Sequence, residues 1–308
     1  MTSSVAYRGR FAPSPTGPLH FGSLITALGS YLEARRHGGE WQLRIDDIDP
    51  AREQPGAADA IRRTLERLGL EHDGPVVFQS ERSEAHASAI AQLANQGSAF
   101  ACGCTRKMVL RGGTRGPNGV LYPGTCRNGL PEGRSARTWR AHARGVITID
   151  DALQGHHRCD LAESVGDFLI QRADGWPAYH LAAAVDDTAA GITHVVRGFD
   201  LMLCTPPQVH LMHALAAQPP RYAHLPLACD RDGRKLSKVN GATAIDDTQP
   251  AQALVAGLNF LQQAPPDELR QAPPAEILAW ARHHWEPARL VGVEQAVAAP
   301  DALATGRD

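Results

Sequence analysis

The sequence lacks a long apolar run. None of its stretches approaches the roughly 20 consecutive apolar residues that a membrane span needs, and the N-terminal MTSSVAYRGR has no apolar signal-peptide core. We therefore expect a cytoplasmic protein without membrane attachment. The sequence also lacks a strong charge of either sign, since its formal net charge is −2 over 308 residues. That balance argues against a broad nucleic-acid coat but permits a local basic patch.

Cysteine is scarce, and its placement is uneven. Of the six cysteines, Cys102, Cys104 and Cys126 fall in one short segment. In a reducing compartment such a cluster indicates a metal before it indicates disulfides. Tetrahedral Zn²⁺ takes four ligands, usually Cys or His. For the fourth position the segment offers the phenol of Tyr122, and His142 or water are further candidates.

The first hundred residues alternate between strand and helix patterns. YRGRFAPS and EWQLRIDDID are typical of strands, while apolar residues recur at helical spacing from Phe21 and again in PGAADAIRRTLERLGL. This order predicts right-handed crossovers and a parallel sheet, hence an α/β fold of the nucleotide-binding type. Residues 98–150 interrupt the pattern with Gly, Arg and Cys, which indicates an insertion. The core is expected to resume at DFLIQRADGWPAYHLAAAVDD, and three short helices are predicted after residue 250.

A segment dense in proline and glycine, RFAPSPTGPLHFGSL, lies at the first strand-to-helix junction. In a parallel sheet, ligands bind beyond the carboxyl ends of the strands, against the exposed N–H groups of the next helix. The prolines stiffen the loop, and Gly17 and Gly22 let the backbone come close to a ligand. His20 directly precedes the predicted helix, where an imidazole can donate to phosphate oxygens.

A second segment, DRDGRKLSK, follows more than two hundred residues later and carries Lys235 and Lys238. Two lysines on a glycine-containing loop suit a charge clamp that closes over a polyphosphate. The two segments together predict a polyphosphate-binding site.

These segments also carry a family resemblance. RFAPSPTGPLHFGS resembles the HIGH-type signature of class I aminoacyl-tRNA synthetases in its glutamyl form, and KLSK resembles their KMSKS loop. LRIDDIDPAR and VVRGFDL are similar to two further strands of glutamyl-tRNA synthetases, in the same order. The resemblance implies a Rossmann-like parallel sheet with a zinc-bearing insertion and a small helical C-terminal region. It also implies that the polyphosphate is ATP, with His20, Lys235 and Lys238 as catalytic residues and His20, Gly22 and Lys238 as ATP-binding residues. The chain departs from the HIGH pattern at Phe21 and Ser23, so backbone N–H groups and His20 are expected to do more of the phosphate binding.

The resemblance implies site residues as well. The glutamate-binding positions of the family correspond to Arg10, Phe11, Ala12, Pro13, Ser14, Asp46, Tyr179 and Arg197. Either Arg10 or Arg197 can pair bidentately with a carboxylate, which selects an acidic side chain. Asp46 stands where the family usually has Glu, and its side chain is one methylene shorter. The family arrangement also implies one structural Zn²⁺, held by Cys102, Cys104, Tyr122 and Cys126.

The length of the chain after Lys238 narrows the choice among the synthetases that it resembles. Only 70 residues follow Lys238, fewer than the roughly 100 of a typical folded domain such as an anticodon reader. We expect a first core half at 1–97, the insertion at 98–150, a second core half at 151–245 and a helical region at 246–308. The pattern resembles synthetases that activate L-glutamate with Mg-ATP in the absence of tRNA. The resemblance implies that they then transfer glutamate to the queuosine base in the anticodon loop of tRNA(Asp).

Other functions remain open at this point. A short synthetase that charges the 3′ end of tRNA(Glu) would share all these motifs. A pantothenate synthetase-like ligase would share the phosphate loops but not the arginine-bearing LRIDDID and VVRG segments. A non-catalytic RNA-binding module would have no need of His20 and both lysines. The sequence does not fix the oligomeric state, and a monomer is the simplest expectation.

Overall fold

The computed structural model describes residues 6–236 and 244–298. Its strands, in chain order, are β1 (Arg8–Phe11), β2 (Glu40–Ile45), β3 (Val77–Phe78), β4 (Ala99–Cys102), β5 (Arg115–Gly116), β6 (Gly119–Val120), β7 (Thr138–Ala141), β8 (Val146–Asp151), β9 (Gly155–Asp160), β10 (Phe168–Gln171), β11 (His194–Gly198), β12 (Arg221–Leu225), β13 (Leu227–Cys229) and β14 (Gln295–Val297). Its α-helices are α1 (Phe21–Arg36), α2 (Ala57–Arg67), α3 (Ser83–Asn95), α4 (Arg106–Gly112), α5 (Leu161–Ser164), α6 (Tyr179–Ala189), α7 (Thr205–Ala214), α8 (Pro250–Phe260) and α9 (Pro274–His284). Across these described ranges, no helix combines the length and apolar character needed to cross a membrane.

A parallel sheet forms the centre of the fold. β1 pairs with β2, β2 with β3, and β11 with β12, all in parallel. The Thr193 N–H donates to the Arg8 carbonyl at 2.9 Å and places β11 beside β1. The spatial order is therefore β3-β2-β1-β11-β12, and the direction in which strands are added reverses between β1 and β11. Open α/β sheets bind their ligands at such a reversal.

Helix α1 spans the junction at which the sheet reverses. Leu24 and Leu28 are fully buried in the main core with Trp41 of β2, because apolar residues at helical spacing form one continuous face. The helix ends where Gly38 adopts a left-handed φ of 59°, a conformation that glycine takes without strain. The predictions of α1, β2 and α2 from the sequence are confirmed.

Residues 99–171 form sheets of their own. β4, β7 and β10 make an antiparallel sheet in the order β10-β7-β4, and β8 pairs with β9 as a hairpin. The expectation that the core resumes at DFLIQ is wrong, because β10 pairs with β7 and not with the parallel sheet. A four-residue strand carries little information about its partner, since pairing depends on cross-strand contacts that are remote in sequence.

The described residues after 250 form helical turns that pack on the core. Two α-helices and two 3-10 turns, at 267–271 and 287–290, stand where three short helices were predicted. Prolines lie at the first positions of α8, α9 and the second 3-10 turn, where their missing N–H costs nothing. β14 then pairs in parallel with β13. This pairing fastens the end of the described chain to the strand that leads into the KLSK segment.

Candidate active site

A cavity of about 290 Å³ lies at the carboxyl ends of β1 and β11. Its walls come from the loop after β1, the first turn of α1, the residues after β11 and the stretch that follows β13. The predicted site residues that line it are Phe11, Ala12, Pro13, Ser14, His20, Gly22 and Lys235. The fold thus brings two segments that are two hundred residues apart to one cavity. Lys238 lies outside the described residues.

His20 is the N-cap of α1. Its Nδ1 accepts a hydrogen bond from the Ser23 N–H at 3.3 Å, so a neutral ring carries its proton on Nε2. The cap therefore uses one backbone N–H that was expected to help bind phosphate. Gly22 lies against the imidazole, because a Cβ at that position would stand 3.2 Å from Cε1 and 3.3 Å from Nδ1 of His20. The glycine is needed here for close approach.

Lys235 reaches the cavity from the other side. The neighbouring Leu236 N–H donates to the Ala228 carbonyl at 2.8 Å, which holds this part of the loop against β13. The Lys235 Nζ lies 2.5 Å from Asp200 Oδ2. Asp200, which follows β11 and lines the cavity, was missing from the predicted site. The signal was available in VVRGFDL, where this carboxylate stands two residues beyond the strand.

A buried ionic network joins β1, β2 and α6. Asp187 Oδ1 accepts from Arg10 Nε at 3.1 Å and from Arg44 Nη1 at 2.6 Å, while its Oδ2 accepts from Arg10 Nη2 at 3.2 Å. Arg44 Nε also donates to Asp46 Oδ1 at 2.7 Å. The network holds two guanidinium groups and two carboxylates, and all four residues are buried. Its charges therefore cancel internally.

Two predicted glutamate-binding residues, Arg10 and Asp46, belong to this network and form ion pairs within the protein. Burial alone would raise the pKa of Asp187, but the guanidinium groups of Arg10 and Arg44 hold that pKa at about 2. Arg10 is thus already paired in a bidentate manner with Asp187, and Asp46 is paired with Arg44. Neither Arg10 nor Asp46 lines the cavity.

Arg197 has a different environment. It lies on β11 directly before the cavity-lining Gly198, and it is 2% exposed. Its guanidinium donates to the uncharged acceptors Gln208 Oε1 at 2.9 Å, Thr205 Oγ1 at 2.6 Å, the Leu201 carbonyl at 3.3 Å, His224 Nε2 at 3.2 Å and Tyr179 Oη at 3.5 Å. Within the described residues it forms no ion pair with a carboxylate. Arg197 is therefore a buried cation that, among the described residues, is in direct contact with uncharged groups only.

The clustered cysteines meet around one phenol. Tyr122 Oη lies 3.4 Å from the Cys102 Sγ and 3.5 Å from the Cys104 Sγ, and the Cys104 and Cys126 sulfurs are 3.8 Å apart. The four side chains are buried, and the three thiols are free. Their sulfurs lie within 4.8 Å of one another, so the group can hold a metal ion. His142 stands apart, with its ring against that of Phe100.

The separations within this group suit tetrahedral coordination. Zn–S bonds of about 2.3 Å at tetrahedral angles place two sulfurs about 3.8 Å apart, and a Zn–O bond of about 2.0 Å places oxygen about 3.5 Å from sulfur. Positive charge stands nearby, since the Arg140 guanidinium lies 4.2 Å from the centre of the Tyr122 ring. The Cys126 N–H also donates to Tyr122 Oη at 2.9 Å. Burial and the neighbouring cysteines nevertheless raise the pKa of Tyr122, with only the Cys126 N–H acting against them, so the phenol would ionise on binding a metal ion.

A parallel sheet with a cavity at the point where the strand order reverses is typical of nucleotide-binding enzymes. Over residues 6–264 the chain matches the family described as tRNA synthetases class I (E and Q), catalytic domain. A solved glutamate tRNA ligase from Elizabethkingia meningosepticum, in complex with its amino acid, superposes with a TM-score of 0.78 at 25% identity. That likeness covers 97% of this chain and 68% of the ligase.

The curated relatives narrow the class. The glutamyl-Q tRNA(Asp) synthetase of Aromatoleum aromaticum is 50% identical over 279 residues, which cover 91% of this chain and 89% of the relative. The protein of the same name from Chromobacterium violaceum is 50% identical over 289 residues, covering 94% of this chain and 96% of the relative. The chain belongs to the glutamyl-Q tRNA(Asp) synthetase family.

Proposed function

We propose that the protein is a ligase that activates L-glutamate with ATP and transfers it to the queuosine base of tRNA(Asp). One observation carries the choice of amino acid: Arg197 is buried and, among the described residues, pairs with no carboxylate. A buried guanidinium is stabilised most by a carboxylate in direct contact. An anionic side chain next to Arg197 can form this ion pair, and a neutral one cannot.

Side-chain charge separates glutamate from glutamine in the same way. The network of Arg10, Arg44, Asp46 and Asp187 is paired internally, whereas the Arg197 guanidinium has no described carboxylate in direct contact. The glutamate side chain carries a carboxylate that can form this ion pair, and the glutamine side chain carries none. The amide would also leave the Arg197 donors facing a weaker acceptor.

Tyr179 completes the binding site for the side-chain carboxylate. Its hydroxyl is 3.5 Å from Arg197 Nη1, the longest of the contacts that the guanidinium makes, so a carboxylate can replace it at little cost. The loop residues Phe11–Ser14 would carry the backbone of the amino acid toward the cavity. The α-ammonium group of the glutamate would lie beside Asp46 and share the Asp46 carboxylate with Arg44. The Arg44 Nη2 is 3.4 Å from Asp46 Oδ2, a long contact that the ammonium group can replace.

The cavity would hold ATP with its Mg²⁺. The His20 Nε2–H and the first turn of α1 face one side of the phosphates, and Lys235 the other. The glutamate α-carboxylate attacks the α-phosphate in line and displaces pyrophosphate, which leaves glutamyl-adenylate. Positioning and charge stabilisation account for most of such a step. Loss of one donor to the developing charge typically costs about 3 kcal/mol, or about a hundredfold in rate.

A basic surface on the insertion supports an RNA partner. Residues 98–150 contain nine Arg or Lys but only two acidic residues, a formal charge of +7, whereas the rest of the chain carries −9. Several of these cations are exposed and, within the described ranges, form no ion pair: Arg106, Lys107, Arg111, Arg115, Arg137 and Arg144. Unpaired cations on a surface depleted of acids fit a phosphate backbone.

We further propose that Cys102, Cys104, Tyr122 and Cys126 hold one structural Zn²⁺. The sulfur and oxygen separations support this choice, as does the chemistry of three thiols and a phenol. With all four positions filled by protein, the ion has no open site for catalysis. It would hold together the segment between β4 and β7, which carries much of the basic surface.

The acceptor is tested by glutamylation of tRNA(Asp) with and without queuosine. We expect ¹⁴C-glutamate to enter only the queuosine-containing RNA and to map to the anticodon nucleotide after nuclease digestion. Glutamate on the terminal adenosine of tRNA(Glu) would instead favour the short charging synthetase. Glutamate-dependent pyrophosphate exchange without any RNA is expected in parallel, and its absence would favour the non-catalytic module.

The same assay tests the basic surface. Arg106→Glu combined with Arg111→Glu should lower transfer to RNA at least tenfold and leave pyrophosphate exchange unchanged, because phosphate contacts are lost far from the cavity. Arg63→Glu on α2, which is exposed as well, is the matched control and should change neither. Equal losses in the control and the double variant would reject this surface.

A further inference from the structure

Arg197 is the third member of a buried chain of side chains. Asp151 at the end of β8 accepts from His224 Nδ1 through Oδ2 at 2.6 Å. His224 on β12 in turn lies with its Nε2 3.2 Å from Arg197 Nε. The side chains of Asp151 and His224 are fully buried. The three residues come from the insertion hairpin and from two different core strands.

The direction of these hydrogen bonds is fixed by chemistry. A guanidinium can only donate, so His224 Nε2 must act as an acceptor, and the proton of the neutral ring must be on Nδ1. Asp151 Oδ2 accepts that proton and holds the ring in this tautomer. The Asp151 carboxylate is itself fixed, because its Oδ1 accepts from the backbone N–H groups of Leu153, Gln154 and His224 at 3.0, 2.9 and 3.1 Å.

We propose that Asp151 and His224 are positioning residues that orient the Arg197 guanidinium for the glutamate side chain. The inference rests on the proposed function, since it concerns the same amino-acid site. Asp151 holds the ring, and the ring holds Nε of Arg197. Nη1, whose contact with Tyr179 a carboxylate can replace, is thereby aimed at the glutamate side chain. A carboxylate outside the cavity thus influences amino-acid affinity without touching the substrate.

Asp151→Asn tests the role of the His224 tautomer. The amide oxygen can keep the three backbone contacts, while the amide nitrogen faces His224 and forces Nδ1 to accept. The imidazole proton then moves to Nε2 and opposes Arg197 Nε–H. We expect KM for glutamate in pyrophosphate exchange to rise about tenfold or more, with KM for ATP and kcat within about threefold of wild type.

Two variants of His224 distinguish its contact with Asp151 from its contact with Arg197. His224→Gln places an amide oxygen near the position of Nε2 and keeps an acceptor for Arg197, so KM for glutamate should rise by less than about threefold. His224→Asn keeps a donor for Asp151 but no longer reaches Arg197, and KM should rise about tenfold. Asp151→Asn in the His224→Gln background should have little further effect, since that background has no tautomer to invert.

Several results would overturn the inference. These are unchanged glutamate KM in Asp151→Asn, an undiminished effect of that substitution beside His224→Gln, or a loss of kcat and both affinities in proportion to a lower melting temperature. The ¹⁵N shifts of the His224 ring provide a readout independent of turnover, and a wild-type ring protonated on Nε2 would also contradict the proposal. Wild-type protein that shows no glutamate-dependent exchange would reject the proposed function, whereas these shifts would still decide the tautomer.

Discussion

The first turn of α1 depends on the contact between Gly22 and His20. The imidazole caps the helix through Nδ1 and directs Nε2–H away from it, so the same side chain both ends a loop and faces the phosphate cavity. The backbone of residue 22 passes close to the ring, so a methyl group there would be in tighter contact with the imidazole than side chains ordinarily are. This is the physical reason for the glycine in the HFGS sequence.

Replacement of Gly22 by alanine should therefore impair ATP use. The new Cβ would lie 3.2 Å from His20 Cε1, so the ring would have to shift by a few tenths of an ångström, away from the position set by its hydrogen bond with the Ser23 N–H. We expect glutamate-dependent pyrophosphate exchange to fall at least tenfold, since a displaced catalytic donor costs on the order of 2 kcal/mol or more. Gly112→Ala is the control, because its Cβ would meet Pro123 at an ordinary 3.5 Å, and it should keep full activity.

Residue types also limited what could be predicted at this scale. Arg10 and Arg197 looked equivalent in sequence, since each follows the pattern of an arginine on a strand that leads to a loop. The structure separates them, because Asp187 of α6 reaches Arg10 while no described carboxylate reaches Arg197. The difference depends on a residue 177 positions away from Arg10, so no local pattern contains it.

At the scale of elements, the insertion is held by a small core of its own. Phe100 and the four candidate zinc ligands form a separate buried cluster, and many of the surrounding residues between β4 and β7 are exposed. A segment with so little apolar area gains little from burial. A metal ion at this cluster would supply the missing stabilisation.

We accordingly expect about one equivalent of zinc per chain by elemental analysis, and Cys104→Ser should remove most of it. Proteolysis between residues 103 and 134 should become faster in this variant, because the segment loses its cross-link. Pyrophosphate exchange should stay within about threefold of wild type, since the cluster contributes no residue to the cavity. Cys159→Ser, at a cysteine outside the cluster, should retain the metal. A zinc-free wild-type protein with a protease-resistant insertion would reject the site.

At the scale of the whole molecule, the insertion separates two halves of one core. Arg10 and Arg44 lie on strands before it and Asp187 on a helix after it. Their buried ion pairs, together with the contact between Thr193 and Arg8, join the halves beside the cavity. Because the partners are buried, removal of one leaves unpaired charge in the core.

This arrangement predicts a specific acid sensitivity. The pKa of Asp187 is lowered from 3.8 to about 2, so its ion pairs stabilise the fold fully above about pH 4 and lose that contribution as the pH falls through 2. The contribution amounts to about 2 kcal/mol. Urea unfolding between pH 7 and pH 2 should show wild type losing stability more steeply than Asp187→Asn, which lacks the titration. Asp59→Asn, an exposed position, should follow wild type, and identical slopes for all three would contradict the assignment.

Some properties followed from the sequence alone. The alternation of strands and helices, the position of His20 directly before α1 and the three clustered cysteines are local patterns, because helical spacing and strand alternation each depend on neighbours within a few residues. The family resemblance came from the same short segments. Only the tertiary structure decided that β10 joins the insertion, that Asp200 meets Lys235, and that Arg10 has a carboxylate partner whereas Arg197 has none among the described residues. Each of these depends on contacts between residues far apart in the chain. One such partner changes the charge balance of a side chain and the hydrogen-bond donors that it has left for a ligand.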